Sequence, residues 1–263
     1  MSNQRHLSHT QVSMYMRCPK QYEFRYIQNI ILPPTAALTK GRLVHVGAEY
    51  NLRQKVHSRE DLPEEQVLEH TGDEFEKAAQ ETDWRPDEIP GQEKDKVLRM
   101  VQAYLRSLAP EIQPVEVEAK IAGYLGDLIY TGVIDVIDNH GRIRDLKTSR
   151  RAPAKDIAEN NLQLIGYAAL VSDASELLHD VPMGEGPVPV ALDYVIDGKE
   201  VRTRTYTGEV TEASVDWFID TIRAVAEGIN QGIFYRNTTN YLCNERWCGY
   251  WHQCKKGGSR HEH

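Results

Sequence analysis

Residues 132–148, G-V-I-D-V-I-D-N-H-G-R-I-R-D-L-K-T, set two aspartates and a lysine where they can act together. Along a strand, residues two apart face the same side. Asp145 and Lys147 therefore point together, and Asp135 shares its face with Val133 and Ile137. Asn139-His140-Gly141 reads as a three-residue hairpin loop, with Gly141 at the left-handed position such a loop requires. That length puts Asp135 opposite Asp145, whereas a two- or four-residue loop puts the carboxylates on opposite faces. Two carboxylates with a lysine beside them make a site for a hard cation and a phosphate: magnesium prefers one or two carboxylates, several waters and phosphate oxygens. Lysine can orient or deprotonate a water, or contact the phosphate. Glu118, on the preceding strand, is a candidate third carboxylate. Taken singly, each aspartate reads as an ordinary surface charge. Their neighbours Val133, Ile134, Val136 and Ile137 argue for a buried sheet, where an unpaired carboxylate is costly.

The four cysteines are a second chemical feature. Cys18 lies near the start, and Cys243, Cys248 and Cys254 near the end as C-x4-C-x5-C. Four thiolates suit either a tetrahedral zinc or an iron–sulfur cluster. One distant and three loosely spaced cysteines fit a larger [4Fe–4S] cubane better than a single zinc with tight knuckles. Trp247, Tyr250 and Trp251 are placed to shield such a centre. Its binding energy is folding energy, so a structural role is expected. The first residues lack an apolar leader, and no apolar run is long enough to span a membrane. A cytoplasmic, reducing setting is expected, which disfavours disulfides.

These groups need a frame. Ser8 or Thr10 caps a first helix that Pro19 interrupts. Helices are expected over 41–56, carrying His45, and over 60–81 and 92–108. Strand patterns follow at 115–121, 128–138 and 142–148, then a helix over 155–178. A hairpin over 188–207 turns at Asp197-Gly198, and Thr211 caps a long helix that stops at Gly232. The 40% hydrophobic fraction is that of a globular protein, and the net charge of −8 argues against non-specific coating of nucleic acid. Residues 142–155 nevertheless hold six Lys/Arg against one Asp, a basic strip in which Arg150 and Arg151 are candidate DNA contacts or simply a solvated face.

G-V-I-D…D-L-K-T-S resembles the metal-binding core of the PD-(D/E)xK nuclease superfamily. It is most similar to the branch holding the RecB and AddB nuclease domains and Cas4. L-S-H-T-Q-V-S-M-Y-M-R-C-P-K-Q-Y-E-F-R-Y (7–26) resembles that branch's N-terminal signature. G-R-L-V-H (41–45) is similar to its G-x-x-x-H motif, and Gln163 and Tyr167 to its Q-x-x-x-Y motif. The one-plus-three cysteines are similar to those of its iron–sulfur members, although x4 is longer than the C-x2-C many members show. The resemblance implies one nuclease domain over 1–263 with a restriction-endonuclease-like α/β fold, a mixed central sheet flanked by helices. Residues 1–110 would be its mainly helical N-terminal part, 111–210 the core, and 211–263 a helix with a Cys-rich tail. It implies Asp135 and Asp145 as Mg²⁺ or Mn²⁺ ligands with His45 as a further one, Lys147 assisting the attacking water, and Gln163 and Tyr167 positioning DNA. Glu118 sits where many members place an extra acidic residue. Cys18, Cys243, Cys248 and Cys254 would hold [4Fe–4S]. The activity implied is a DNA exonuclease at single-stranded ends, working in recombination, repair or CRISPR adaptation beside a helicase or other partner. A non-catalytic iron–sulfur DNA-binding or scaffolding subunit is the alternative, against which the intact Asp145-x-Lys147 pair speaks.

Overall fold

Three helices supply most of one hydrophobic cluster, and their apolar stripes follow the 3.6-residue period. The computed structural model describes residues 6–173 and 186–256. In chain order these form β1 (His6–Ser8), α1 (His9–Arg17), α2 (Pro19–Tyr22) and a π-helical turn over Glu23–Ile27, then α3 (Ala36–Ser58), α4 (Glu64–Ala79) and α5 (Pro90–Ser107). There follow β2 (Pro114–Leu125), β3 (Leu128–Asp138), β4 (Ile143–Ser149), α6 (Leu162–Asp173), β5 (Val188–Asp197), β6 (Val201–Val210), α7 (Glu212–Asn230) and α8 (Trp251–Lys256). The chain divides into two compact units, one of residues 1–32, 124–131 and 217–263, the other of 33–123 and 132–216.

In the second unit, Val97, Met100, Val101, Tyr104 and Leu105 of α5 pack with Leu43, Val44, Ala48 and Leu52 of α3 and with Val67 and Phe75 of α4. Val117, Val136, Leu146 and Val195 of the sheet close the same core. Each such side chain buried contributes about 1.5–3 kcal/mol. Lys55 is buried within it, and its ammonium is satisfied by Asp61 at 2.9 Å and the Ala109 carbonyl at 2.7 Å. Gly47 is where α3 meets both neighbours: a methyl there would lie 2.7 Å from Thr71 Oγ1 and 2.9 Å from Val101 Cγ1.

The sheet is mixed. β3 pairs antiparallel with β4, β4 parallel with β5, and β5 antiparallel with β6, while β2 also pairs with β3. The register Val136↔Arg144 and Ile137↔Ile143 is closed by Asn139–Gly141. Gly141 has φ +70°, and its N–H donates to the Asp138 carbonyl at 2.9 Å. One step further back, this register sets Asp135 against Asp145, as the loop length requires. α6 lies along two glycines, since methyls at Gly123 and Gly132 would meet Leu170 and Tyr167. This is the expected α/β architecture, a mixed central sheet flanked by helices.

Three features differ from expectation. α3 begins at Ala36, not 41, because the Thr35 side chain accepts from Leu38 N–H and caps the helix just past the Pro33-Pro34 break. α6 begins at Leu162, not 155: the Asn161 side chain accepts from the N–H groups of Gln163 and Leu164 and starts the helix there. The expected end of that helix at 178 lies outside the described residues. β2 is not evenly alternating, since Glu118 sits at φ +55°.

The first unit is held by aromatic packing between the two ends of the chain. Ser8 accepts from Gln11 N–H as the cap of α1. The Tyr15 hydroxyl donates to the Ile233 carbonyl at 2.8 Å, Tyr22 stacks on Phe234, and Phe24 stacks on Tyr250. β1 runs parallel to the start of β3, where Tyr130 meets Phe218 of α7 edge to face.

The close approach at Gly47 yields a test. Gly47→Ala is expected to lower stability by about 1–3 kcal/mol despite its better helix propensity, because the added methyl overpacks the α3–α4–α5 junction. Urea unfolding would measure it, and an unchanged or raised midpoint would contradict that packing.

Candidate active site

β4 carries Asp145 and Lys147 into the second unit's polar centre. The Asp145 carboxylate is 1% exposed. Its Oδ2 lies 2.7 Å from Lys147 Nζ, an ion pair without hydrogen-bond alignment, so that oxygen has no hydrogen-bond donor among the described residues. The Lys147 ammonium also donates to Gln163 Oε1 at 2.8 Å, and Gln163 Nε2 donates to the Tyr167 hydroxyl at 2.9 Å. These contacts orient the amide: with its nitrogen turned to Tyr167, its oxygen must face the lysine. Gln163 and Tyr167 are four apart on α6 and thus neighbours on one helix face. The bare Gly132 makes room for the ring, since a methyl there would lie 2.3 Å from Tyr167 Cε1.

Asp135 is held from two sides. Its Oδ2 accepts from the Leu146 backbone N–H at 2.9 Å and lies 3.2 Å from His45 Nδ1 of α3. Burial opposes protonation of His45, but the hydrogen bond to Asp135 and the charges of Asp135 and Asp145 outweigh it and hold its pKa above the ordinary imidazole value. Burial pushes the Asp145 carboxyl up to about 6; Lys147 opposes this, Asp135 adds to it, and His45 opposes it further. Burial also raises Glu118, helped by Asp135 and Glu49. His45, Glu49, Glu118 and Asp135 line a recess of about 20 Å³, space for about one water. Glu118 reaches it from a left-handed backbone conformation, which costs a non-glycine residue of order 1 kcal/mol.

The carboxylates, the histidine and the orphaned Asp145 oxygen have the hard-donor chemistry a divalent cation takes. Among the described residues, no three His, Cys, Asp or Glu side chains are gathered closely enough to hold one ion. Magnesium needs only one or two carboxylates and fills the rest of its shell with water and phosphate, so the donor set fits. Asp135 and Asp145 are the carboxylates that would hold it, with His45 paired to Asp135 beside them.

The basic strip divides. Arg144 is buried, with Nε and Nη2 on the two Asp193 oxygens at 2.9 and 2.8 Å and Nη1 on Asp138 at 3.1 Å. Arg142 also faces Asp138, at 3.8 Å. Arg150 and Arg151 are exposed. Glu49 and the cap Asn161 belong to no motif, and Gly132 opens the G-V-I-D stretch without a role assigned to it there. Glu49, one turn beyond His45 on α3, was the one a helical wheel exposes.

In the first unit, Cys18, Cys243, Cys248 and Cys254 line one pocket, all as free thiols. Cys18 ends α1 and precedes Pro19 at the first position of α2. Gln21 Nε2 donates to Cys248 Sγ at 3.3 Å. Tyr250 and Trp251, expected to shield a centre there, line the pocket. Trp247 departs from that expectation: it is 48% exposed, with the Arg246 guanidinium over its ring.

The family profile of the PD-(D/E)XK nuclease superfamily matches residues 6–255. No curated protein matches the chain. Among solved structures, a provisionally named exonuclease from Eubacterium rectale superposes with a TM-score of 0.54 at 10% identity, over 96% of this chain and 89% of that one. The crystal structure of SSO0001 aligns over 80% and 83% of the two chains at 14% identity, with a TM-score of 0.27 that carries no argument.

The raised Asp145 pKa has a pH consequence. Its folded value stands above the ordinary carboxylate value, so ionisation costs stability as pH rises from about 4 through about 6. In EDTA, Asp145→Asn is expected to be more stable than wild type at pH 7 by up to about 3 kcal/mol. The gain should fade below about pH 4. A pH-independent difference in urea titrations would overturn this account.

Proposed function

Since the chain belongs to the PD-(D/E)XK nuclease superfamily, we propose that it is a Mg²⁺- or Mn²⁺-dependent DNA exonuclease that hydrolyses phosphodiester bonds at single-stranded ends. The observation that carries this reading is the continuous link Asp145–Lys147–Gln163–Tyr167 beside the His45–Asp135 pair. The family match spans both units, which supports reading residues 1–263 as one nuclease domain.

A divalent ion bound at Asp135 and Asp145, with His45 as the expected further ligand, would supply Lewis-acid neutralisation of charge on the phosphoryl oxygens. The chain's own residues do the rest. The Lys147 ammonium, oriented by Gln163 Oε1, is set to donate to the attacking water or to a phosphate oxygen. Tyr167 fixes Gln163 and so keeps the lysine from swinging away. Glu118 stands at the edge of the recess as a further acidic group for water or cation. Arg150 and Arg151 are exposed cations for the DNA backbone.

The four cysteines in one pocket support a [4Fe–4S] centre with a structural role, and with it the RecB/AddB/Cas4-like branch. In this reading the protein works in the cytoplasm on DNA ends, in recombination, repair or CRISPR adaptation.

Wild-type protein is expected to degrade labelled single-stranded DNA with Mn²⁺ and to be silent in EDTA. Asp145→Ala should abolish cleavage and leave DNA binding largely intact. Metal-dependent cleavage surviving in that variant would remove Asp145 from the chemistry. Anaerobically purified protein should be brown and carry iron with acid-labile sulfide; a colourless protein with stoichiometric zinc would refute the cluster.

A further inference from the structure

An open groove of about 480 Å³ lies between the first turns of α3 and the end of β4. Its volume is in the range of ligand sites. His45 and Lys147 stand at its inner end, and Leu38, Thr39, Gly41, Arg42 and Thr148 line the remainder. Gly41 marks where helix and strand come together, since a methyl there would lie 3.2 Å from Thr148 Oγ1.

On α3, Leu38, Arg42, His45 and Glu49 follow at spacings of four, three and four, and so share one stripe. At 1.5 Å per residue, Arg42 is about 4.5 Å and Leu38 about 10 Å along the axis from His45. The stripe is polarised. Beyond His45 in the C-terminal direction it meets Glu49, whose carboxylate is paired with Arg53 at 2.7 Å, and with it Glu118 and Asp135 around the small recess. In the N-terminal direction it meets a cation and then an apolar side chain. Arg42 is exposed and has no hydrogen bond or ion pair with any described residue. Its neighbour Lys40 is not available in the same way, because it is paired with Glu93, which Lys96 also holds. Leu38 is 64% exposed. A polyanion leaving the site meets the carboxylates of Glu118 and Asp135 on one side and the exposed guanidinium of Arg42 on the other.

We propose that this groove carries the substrate strand away from the cut: Arg42 pairs with the phosphate next to the one attacked, and Leu38 packs against the base beyond it. The inference rests on the nuclease reading and adds to it a direction for the strand and two residues that position it.

The test uses full-length protein, a single-stranded oligonucleotide and Mn²⁺. Arg42→Ala is expected to raise KM about tenfold, the loss of one charged hydrogen bond, with a smaller effect on kcat. It should also lower the slope of log affinity against log salt by about one. Arg42→Lys should recover part of the affinity and all of the slope. A neutral methylphosphonate placed beside the cut should weaken binding to wild type and leave Arg42→Ala almost unaffected. Leu38→Ser should raise KM without changing the slope. Lys199→Ala removes an exposed cation of the β5–β6 turn outside the groove and serves as the control, with wild-type KM and slope. Arg42→Ala with wild-type KM and slope, or an equal methylphosphonate penalty in both proteins, would overturn the groove while leaving the nuclease reading standing. A wild-type protein that cleaves no oligonucleotide would remove the nuclease reading itself, and the groove with it.

Discussion

Arg144 is a cation inside the protein, and the arrangement of the sheet depends on how it is satisfied. A buried guanidinium is tolerated only with its donors paired. Here Asp193 of β5 takes two of them in a fork and Asp138 of β3 takes another. The partners are themselves fixed: Thr205 of β6 donates to Asp193 at 2.6 Å, and Asp138 Oδ1 accepts the N–H groups of His140 and Arg142 in the hairpin loop. One charge thus ties β3, β4, β5 and β6 together. A one-residue slip of β4 would move every side chain on it to the other face. It would strand two buried carboxylates and carry Asp145 away from Asp135. The network therefore selects the register that the site uses.

The site shows the opposite economy. Around Arg144 each charge is matched, whereas around Asp145 the matching is incomplete. Lys147 is shared between Asp145 and Gln163, one Asp145 oxygen lacks a donor, and Glu118 approaches Asp135 and Glu49 with its pKa raised by burial and by their charges. A surplus of negative charge held in place by rigid strands is costly to an empty protein and suited to a cation. The scaffold that tolerates it is the well-packed core of α3, α4 and α5, from which His45 projects.

Much of this was legible in the residues. The alternation of 128–138 and 142–148, with a three-residue loop ending in Gly141, predicts both the hairpin and the facing of Asp135 and Asp145. What was not legible depends on distant partners. Arg144 and Arg150 look alike in a basic strip, and only Asp193, which comes 49 residues after Arg144, separates a structural arginine from a solvated one. α6 starts seven residues after the expected 155 because the Asn161 side chain caps it locally. Glu118 looks like one more residue of an alternating strand; its left-handed backbone is imposed by the surrounding structure. Gly132 opens the G-V-I-D stretch, but its role shows only in the ring of Tyr167 lying over it.

The first unit is assembled from both ends of the chain, and this has a consequence for biosynthesis. The hydroxyl of Tyr15 finds its acceptor 218 residues later, so at 5–20 residues per second the nascent N-terminal helix waits on the order of 10–40 s on the ribosome. During that interval the apolar face formed by Val12, Tyr15, Tyr22 and Phe24 has only the earliest residues and, midway, 124–131 of its own unit to lie against. The opening segment is thus a natural client for a holding chaperone, and the unit it belongs to can close only after translation has reached the final cysteines.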